Sequence, residues 1–225
     1  MGEHRYYALV ASLPKLPHFE QGEYVPITRQ TLESRLRTLD PAHLTELQAA
    51  GKLTRWQRQP RERTTADIIS QYAKAMKVIE HPALRDIVEY RMGERTVMVA
   101  LRMRKRGERP QPDVPWGVGR WTRTVEEHWD DADLGVRAVF PWVEKARSLV
   151  DSGNALQLER TLLGVIWDRL TEIEGRTPFG FERIIAFVFK WDLFKRWLSY
   201  DPAVAKERFQ ELTSEVTRDH QQLFA

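Results

Sequence analysis

Apolar residues return every three or four positions along most of this chain, the spacing that places them on one buried face of a helix. Tyr6, Leu9, Val10 and Leu13 begin the pattern. They predict a short helix over 4–13, ended by Pro14, with a buried strand as the alternative reading. The opening Tyr6, Tyr7, Leu9 and Val10 are expected to dock back onto the body of the protein, which keeps a terminus from fraying. Pro14, Pro17 and Pro26 then hold 15–26 extended. Leu32, Leu36 and Leu39 form the next stripe, and Asp40-Pro41 supplies a cap and a first-turn proline for a helix with Leu44 and Leu47 inward and Gly51 as its stop. Thr65 is read as the cap of a helix carrying Ile68, Ile69, Tyr72, Met76 and Ile79. His81-Pro82 starts another with Leu84, Ile87 and Val88, and 94–106 is read as a further helix, with a strand at Val97-Met98-Val99 as the alternative.

The stretch GERPQPDVPWGVGR, 107–120, contains three prolines and three glycines and reads as a linker. Beyond it Val139, Trp142, Val143, Ala146, Leu149 and Val150 hold helical spacing, as do Leu158, Leu162, Leu163, Ile166, Leu170 and Ile173 up to Gly175. Phe179 to Leu198 is apolar on most of its circumference and predicts a central helix; Asp201-Pro202 opens a last one with Ala205, Phe209, Leu212 and Val216. The fold class is all-α: an irregular helical bundle of two lobes, 1–106 and 121–225, joined by 107–120.

Composition sharpens this picture in three ways. Among 225 residues, 42% hydrophobic, there is no cysteine, which excludes disulfide staples and thiolate metal sites. Residues 1–125 hold 22 Lys/Arg against 14 Asp/Glu, a net of +8, and 126–225 hold 13 against 18, a net of −5, which together give the whole-chain +3. Such a dipolar chain suits partners of different sign at its two ends. The opening apolar run is short and follows Glu3, unlike a targeting signal. The strongest later run, Ile184 to Phe189, stops at Lys190, well short of the roughly 18 residues of a membrane span. A soluble, cytoplasmic chain is expected.

Candidate chemistry is sparse. The six histidines are scattered, with no two presented from one helical turn, and are expected at the surface or at helix ends. Asp130, Asp131 and Asp133 invite a calcium loop, but from Asp131 the sixth position is Val136 and the twelfth Trp142, so an acidic turn is the better reading. Gly117-Val118-Gly119 is half of a dinucleotide fingerprint with Thr122 where the third glycine belongs. No cofactor, metal site or small-molecule substrate is expected, and a non-enzymatic role is preferred to an enzyme whose active site would form only in the folded chain. Arg102, Arg104, Lys105, Arg106 and Arg109 form one basic cluster; Arg55, Arg58, Arg61 and Arg63, around Trp56, form another. With Trp116, Arg120, Trp121 and Arg123, these are the residues of an alternative reading, a helical nucleic-acid-binding module that pairs cations with phosphates and stacks rings on bases. Seven of the eight tryptophans fall between Trp116 and Trp197 and are expected to pack the core.

Four stretches together resemble a known family. YYALVASLPKL, ERTVMVALRMRKRG, ALQLERTLLGVIWDRLTEIEG and FGFERIIAFVFKWDLFKRWLSYDP, spanning about Tyr6 to Pro202, are similar to a short family encoded with bacterial V-type ATPases. That family is in turn similar to the C subunit, called d in eukaryotes. The resemblance implies helical lobes like those of the C/d socket, no catalytic residues, and a non-catalytic adaptor or assembly role between the central rotor shaft and the membrane ring. The partners implied are those shaft and ring subunits, with the chain held at the cytoplasmic face through them. The chain is shorter than the three-lobed socket. Partner-binding candidates are Arg102, Arg104, Lys105 and Arg106 from the basic cluster, and Glu159, Lys190 and Arg196 from the family pattern. For the last three a structural job is the first expectation, Glu159 pairing with a basic residue of another helix and Lys190 snorkelling from an apolar one.

Overall fold

A helix of 24 residues, Pro82–Lys105, organises the molecule, and its apolar positions are buried on most sides. The computed structural model describes residues 6–54 and 63–199. Within them the secondary structure is entirely helical: α1 (Tyr7–Ser12), α2 (Arg29–Leu36), α3 (Pro41–Thr54), α4 (Thr65–Val78), α5 (Pro82–Lys105), α6 (Thr122–Glu127), α7 (Val143–Asp151), α8 (Ala155–Arg176) and α9 (Phe181–Leu198).

The two helices expected over 82–106 are one, α5, and Val97-Met98-Val99 is helical within it. The weakest helix former in its middle is Gly93, and tertiary packing uses that gap. A Cβ there would stand 2.6 Å from Phe140 Cζ and 2.7 Å from Trp121 Cδ1, so the missing side chain lets the 121–140 stretch press onto α5. α5 packs against α3, α6, α7 and α9. Asp86 of α5 also takes Arg169 of α8 at 2.7 Å, with the guanidinium over the Tyr90 ring.

α8 and α9 form an antiparallel hairpin across the short 177–180 connection. Glu159 near the start of α8 faces Arg196 near the end of α9, and Glu174 near the end of α8 faces Arg183 near the start of α9. The N-terminal segment is laid over this hairpin. The Tyr6 amide donates to Phe179 O at 3.2 Å, Phe19 packs its ring against Trp167 and Trp197, and Trp191 Nε1 donates to Ile27 O at 2.9 Å. The expected docking of the opening run is carried by buried Tyr6 and Leu9, whereas Tyr7 points outward at 60% exposure.

Local details correct several expected boundaries. α3 runs through Gly51 to Thr54, because burial of Leu53 and Thr54 beyond the glycine outweighs its helix penalty of about 1 kcal/mol. The cap of α4 is Thr64 rather than Thr65: its hydroxyl accepts from the Asp67 amide, and Asp67 accepts from the Thr64 amide in return, a reciprocal capping box. α7 begins at Val143, and Val139 and Trp142 lie in the turn before it, since Pro141 biases Phe140 away from helical backbone. Asp40 does cap α3, its Oδ1 accepting from the Ala42 amide at 2.9 Å.

The 107–120 stretch has no regular element but is tied down. Buried Thr96 of α5 both donates to Val118 O at 2.9 Å and accepts from Val118 N at 2.8 Å, and Trp116 sets its ring edge-on to Trp129. A single hydrophobic cluster takes in buried residues from Tyr6 to Leu198. Trp116, Trp129, Trp142, Trp167 and Trp191 are buried in it, and Trp121 and Trp197 pack against it. The helix expected after Asp201-Pro202, and the cluster members Arg55, Trp56, Arg58 and Arg61, lie outside the described residues.

Candidate functional site

The hairpin places two of the candidate residues in direct contact. Arg196 Nη2 donates to Glu159 Oε2 at 2.8 Å, and Arg196 Nε lies 2.6 Å from Oε1, off the hydrogen-bond axis. On the face of α5 turned towards them, Arg91 pairs with Glu94, both buried. Burial pushes the Glu94 carboxyl up from its ordinary value; the charges of Arg91 and Arg196 oppose the shift and that of Glu159 adds to it. The two pairs therefore feel one another, with Arg91–Glu94 lying within α5; the ion pairs that join helices are Glu159–Arg196 between α8 and α9 and Asp86–Arg169 between α5 and α8. An arrangement of this kind fixes helix register more than it adds stability, because desolvating the ions consumes most of the Coulomb gain.

Lys190, the third of these candidates, belongs to a separate group. Its side chain retains 8% exposure, its Nζ sits 2.5 Å from Glu174 Oε2 and 5.1 Å from the centre of the Trp167 ring, and Arg183 shares the same carboxylate at 3.2 Å. It bridges α9 to α8 rather than reaching solvent.

Arg102, Arg104, Lys105 and Arg106 stand together at the C-terminal end of α5, where cations are favoured by the helix dipole. Arg102 is exposed, while the heads of the other three already have work within the fold. Arg104 donates to Asp131 O at 2.6 Å, Lys105 to Val150 O in the last turn of α7 at 2.5 Å, and Arg106 grips Glu108 through two bonds of 2.7 Å. Arg109 pairs with Asp130. These acceptors compete with any phosphate. The acidic turn is likewise tied locally, with Asp131 Oδ2 2.6 Å from His128 Nδ1 and Asp133 capping the Gly135 amide at 3.0 Å.

The sequence alone did not reveal a histidine cluster at the starts of α3 and α5. His43 stacks on Phe181 with centroids 4.0 Å apart and planes 3° from parallel, and its Nδ1 is 2.7 Å from the Tyr6 hydroxyl. His81 meets both rings edge-on, and its Nε2 lies 3.6 Å from Glu182. Buried Glu46 accepts from the Glu80 and His81 amides at 3.0 and 2.8 Å, placing a carboxylate at the N-terminus of α5. For Glu182, burial raises the pKa, but the Thr177 hydroxyl bond, its own amide and the nearby His81 and His43 outweigh this and hold the carboxyl below its usual range. The available signal was that Asp40-Pro41 and His81-Pro82 mark two helix starts; that the starts meet is a tertiary fact.

A groove of about 1080 Å³ lies elsewhere, between α2, α3 and α4, with Val188 of α9 in its wall. Its floor is apolar, built from Leu36, Leu44, Leu47, Leu53 and Ala75, and Val78 stays 42% exposed at its edge. Exposed Arg37, Lys52 and Lys74 stand on its rim, while Arg29 is paired with Glu33 at 2.5 Å. Among the described residues no three His, Asp or Glu side chains come together in a way that could hold a metal ion, and no helix is long and apolar enough to cross a membrane. No family model, curated protein or solved structure matches the chain.

Proposed function

We propose that this chain is a non-catalytic adaptor or assembly subunit of a V-type rotary ATPase, linking the central rotor shaft to the membrane ring from the membrane's cytoplasmic side. The observation that carries the reading is the interlocking of α5, α8 and α9 by the Asp86–Arg169 pair between α5 and α8 and the Glu159–Arg196 pair between α8 and α9. A mechanical link must keep its helices in register under load, and paired charges inside a helical body resist sliding because a shifted register strands an ion without its partner. The stretches that resemble the ATPase-encoded family contribute the second half of α5, α8 and α9, which belong to this locked unit, together with α1. The basic first half and acidic second half give the adaptor an orientation between partners of unlike sign.

A tagged full-length chain, expressed in its source cell and isolated from mildly solubilised membranes, tests the reading by mass spectrometry of what accompanies it. Shaft and ring subunits recovered together support it. Recovery of nucleic acid, or of neither subunit while the rotary complex stays intact elsewhere in the sample, counts against it.

A further inference from the structure

Three arginines from two parts of the chain are brought together beside the later turns of α5. Only the stretch 79–81 separates the end of α4 from the start of α5, and Arg85 Nη1 donates back to Met76 O at 2.9 Å and to Ile79 O at 3.0 Å. Further along, Tyr72 of α4 and Met92 of α5 meet at Gly119, where a Cβ would lie 3.8 Å from the Tyr72 hydroxyl and 3.7 Å from Met92 Cβ. α4 therefore turns back beside α5, and Arg63, just ahead of the Thr64 cap, arrives near Arg95. Arg102 follows Arg95 by two helical turns, which puts both on one face of α5 about 10 Å apart along its axis.

Like charge works against this cluster. Burial lowers the pKa of half-buried Arg95 from its ordinary value, and the charges of Arg63 and Arg102 lower it further. Burial lowers that of Arg63 too, with Asp67 opposing. Arg63 Nη2 donates to the Gln71 side chain, but Arg63 Nε is buried without a hydrogen-bond acceptor. A buried N–H left in that state is unfavourable, and an acceptor that fits removes the penalty. Arg102 is exposed, and its guanidinium has no hydrogen bond or ion pair among the described residues. Arg95 adds its charge to the arrangement whatever else it touches.

We propose that Arg63, Arg95 and Arg102 form a binding site for a small, multiply charged phosphoryl anion, with Arg63 Nε and the Arg102 fork as donors and Arg95 as the supporting charge. Guanidinium N–H groups match the spacing of phosphate oxygens, and a ligand with more than one negative charge offsets the repulsion among three cations. A small solute fits better than a polynucleotide. The basic surface does not continue from Arg102 as the track a nucleic-acid backbone follows, because Arg104, Lys105, Arg106 and Arg109 are engaged with Asp131, Val150, Glu108 and Asp130. This goes beyond the adaptor reading and does not depend on it.

Isothermal titration of the full-length protein with inorganic pyrophosphate, at low salt and near neutral pH, tests the site. Saturable binding at one pyrophosphate per chain is expected, with a rise in melting temperature as the ligand is added. Arg63→Gln and Arg102→Gln should each weaken binding about ten-fold or more. Arg102→Gln alters an exposed side chain, so its melting temperature without ligand should stay near the parent's. Arg123→Gln, which removes an exposed arginine paired with Glu127, should change the affinity by less than about two-fold. Absence of saturable binding overturns the proposal. So does binding that the Arg63 and Arg102 variants leave intact, or that Arg123→Gln weakens equally, because the anion then answers the overall surface charge. A single-stranded oligonucleotide that binds more tightly and displaces pyrophosphate also overturns it, by making these arginines part of a nucleic-acid surface.

Discussion

Arg196 and Glu159 keep only 25% and 18% of their side-chain exposure, so a charge left there without its partner is poorly hydrated. Glu159→Gln should therefore destabilise the protein by about 2 kcal/mol, below the roughly 3–5 kcal/mol of a fully buried pair because water still reaches this one. Arg196→Met combined with Glu159→Leu should recover most of the loss, and urea titration of the two variants measures both effects. Lys190→Met should cost less, within about 1 kcal/mol, because Glu174 retains Arg183 and the methionine still packs on Trp167. Gly93→Ala acts differently. Its new methyl meets Phe140 and Trp121, so despite alanine's better helix propensity it should destabilise by about 1–3 kcal/mol, read from the same titrations. Glu159 was expected to pair with a basic residue of another helix, and Lys190 to snorkel from an apolar one, whereas Lys190 is buried against Glu174. Which residues they meet was not legible, since spacing reveals neighbours three or four positions apart on one helix and not those across a hairpin.

At the scale of elements, the capping box of α4 carries a pH dependence. The bond from the Thr64 hydroxyl, and then that from the Thr64 amide, hold the Asp67 carboxyl below its usual range. A carboxyl whose folded pKa is depressed contributes stability above its unfolded pKa and loses it as pH falls through the folded one. Asp67→Asn should accordingly flatten the acid limb of the stability curve while leaving a smaller, pH-independent loss at neutrality, which thermal melts from pH 7 down to about 3 would show. Thr96→Val addresses another junction: it strands both Val118 backbone groups, so it should cost about 1–3 kcal/mol and speed amide exchange at Val118. Helix stripes and proline-marked starts were readable from sequence because both follow from local periodicity and backbone sterics. The continuity of α5 and the passage of α3 through Gly51 were not, because packing overrides local propensity at Gly93 and Gly51. The 107–120 stretch shows the same limit, its prolines and glycines marking the loss of helix while its anchorage to Thr96 depends on the fold.

For the whole molecule, α5 carries the load path of the account. It touches the N-terminal helices through α3 and the C-terminal ones through α6, α7 and α9, and the N-terminal segment adds a second connection by lying over the α8–α9 hairpin. Arg104, Lys105 and Arg106 at its end are engaged with Asp131, Val150 and Glu108, which is the behaviour of a brace rather than of an open phosphate surface. In the proposed adaptor role, a brace between shaft and ring would make ion movement depend on it and ATP hydrolysis much less so. The direct test is the ratio of ATP-driven ion uptake to ATP hydrolysis in inverted membrane vesicles from cells with and without this chain. The account predicts that without it hydrolysis persists while uptake falls to background, and that restoring the full-length chain restores uptake. An unchanged ratio in its absence would contradict the adaptor role.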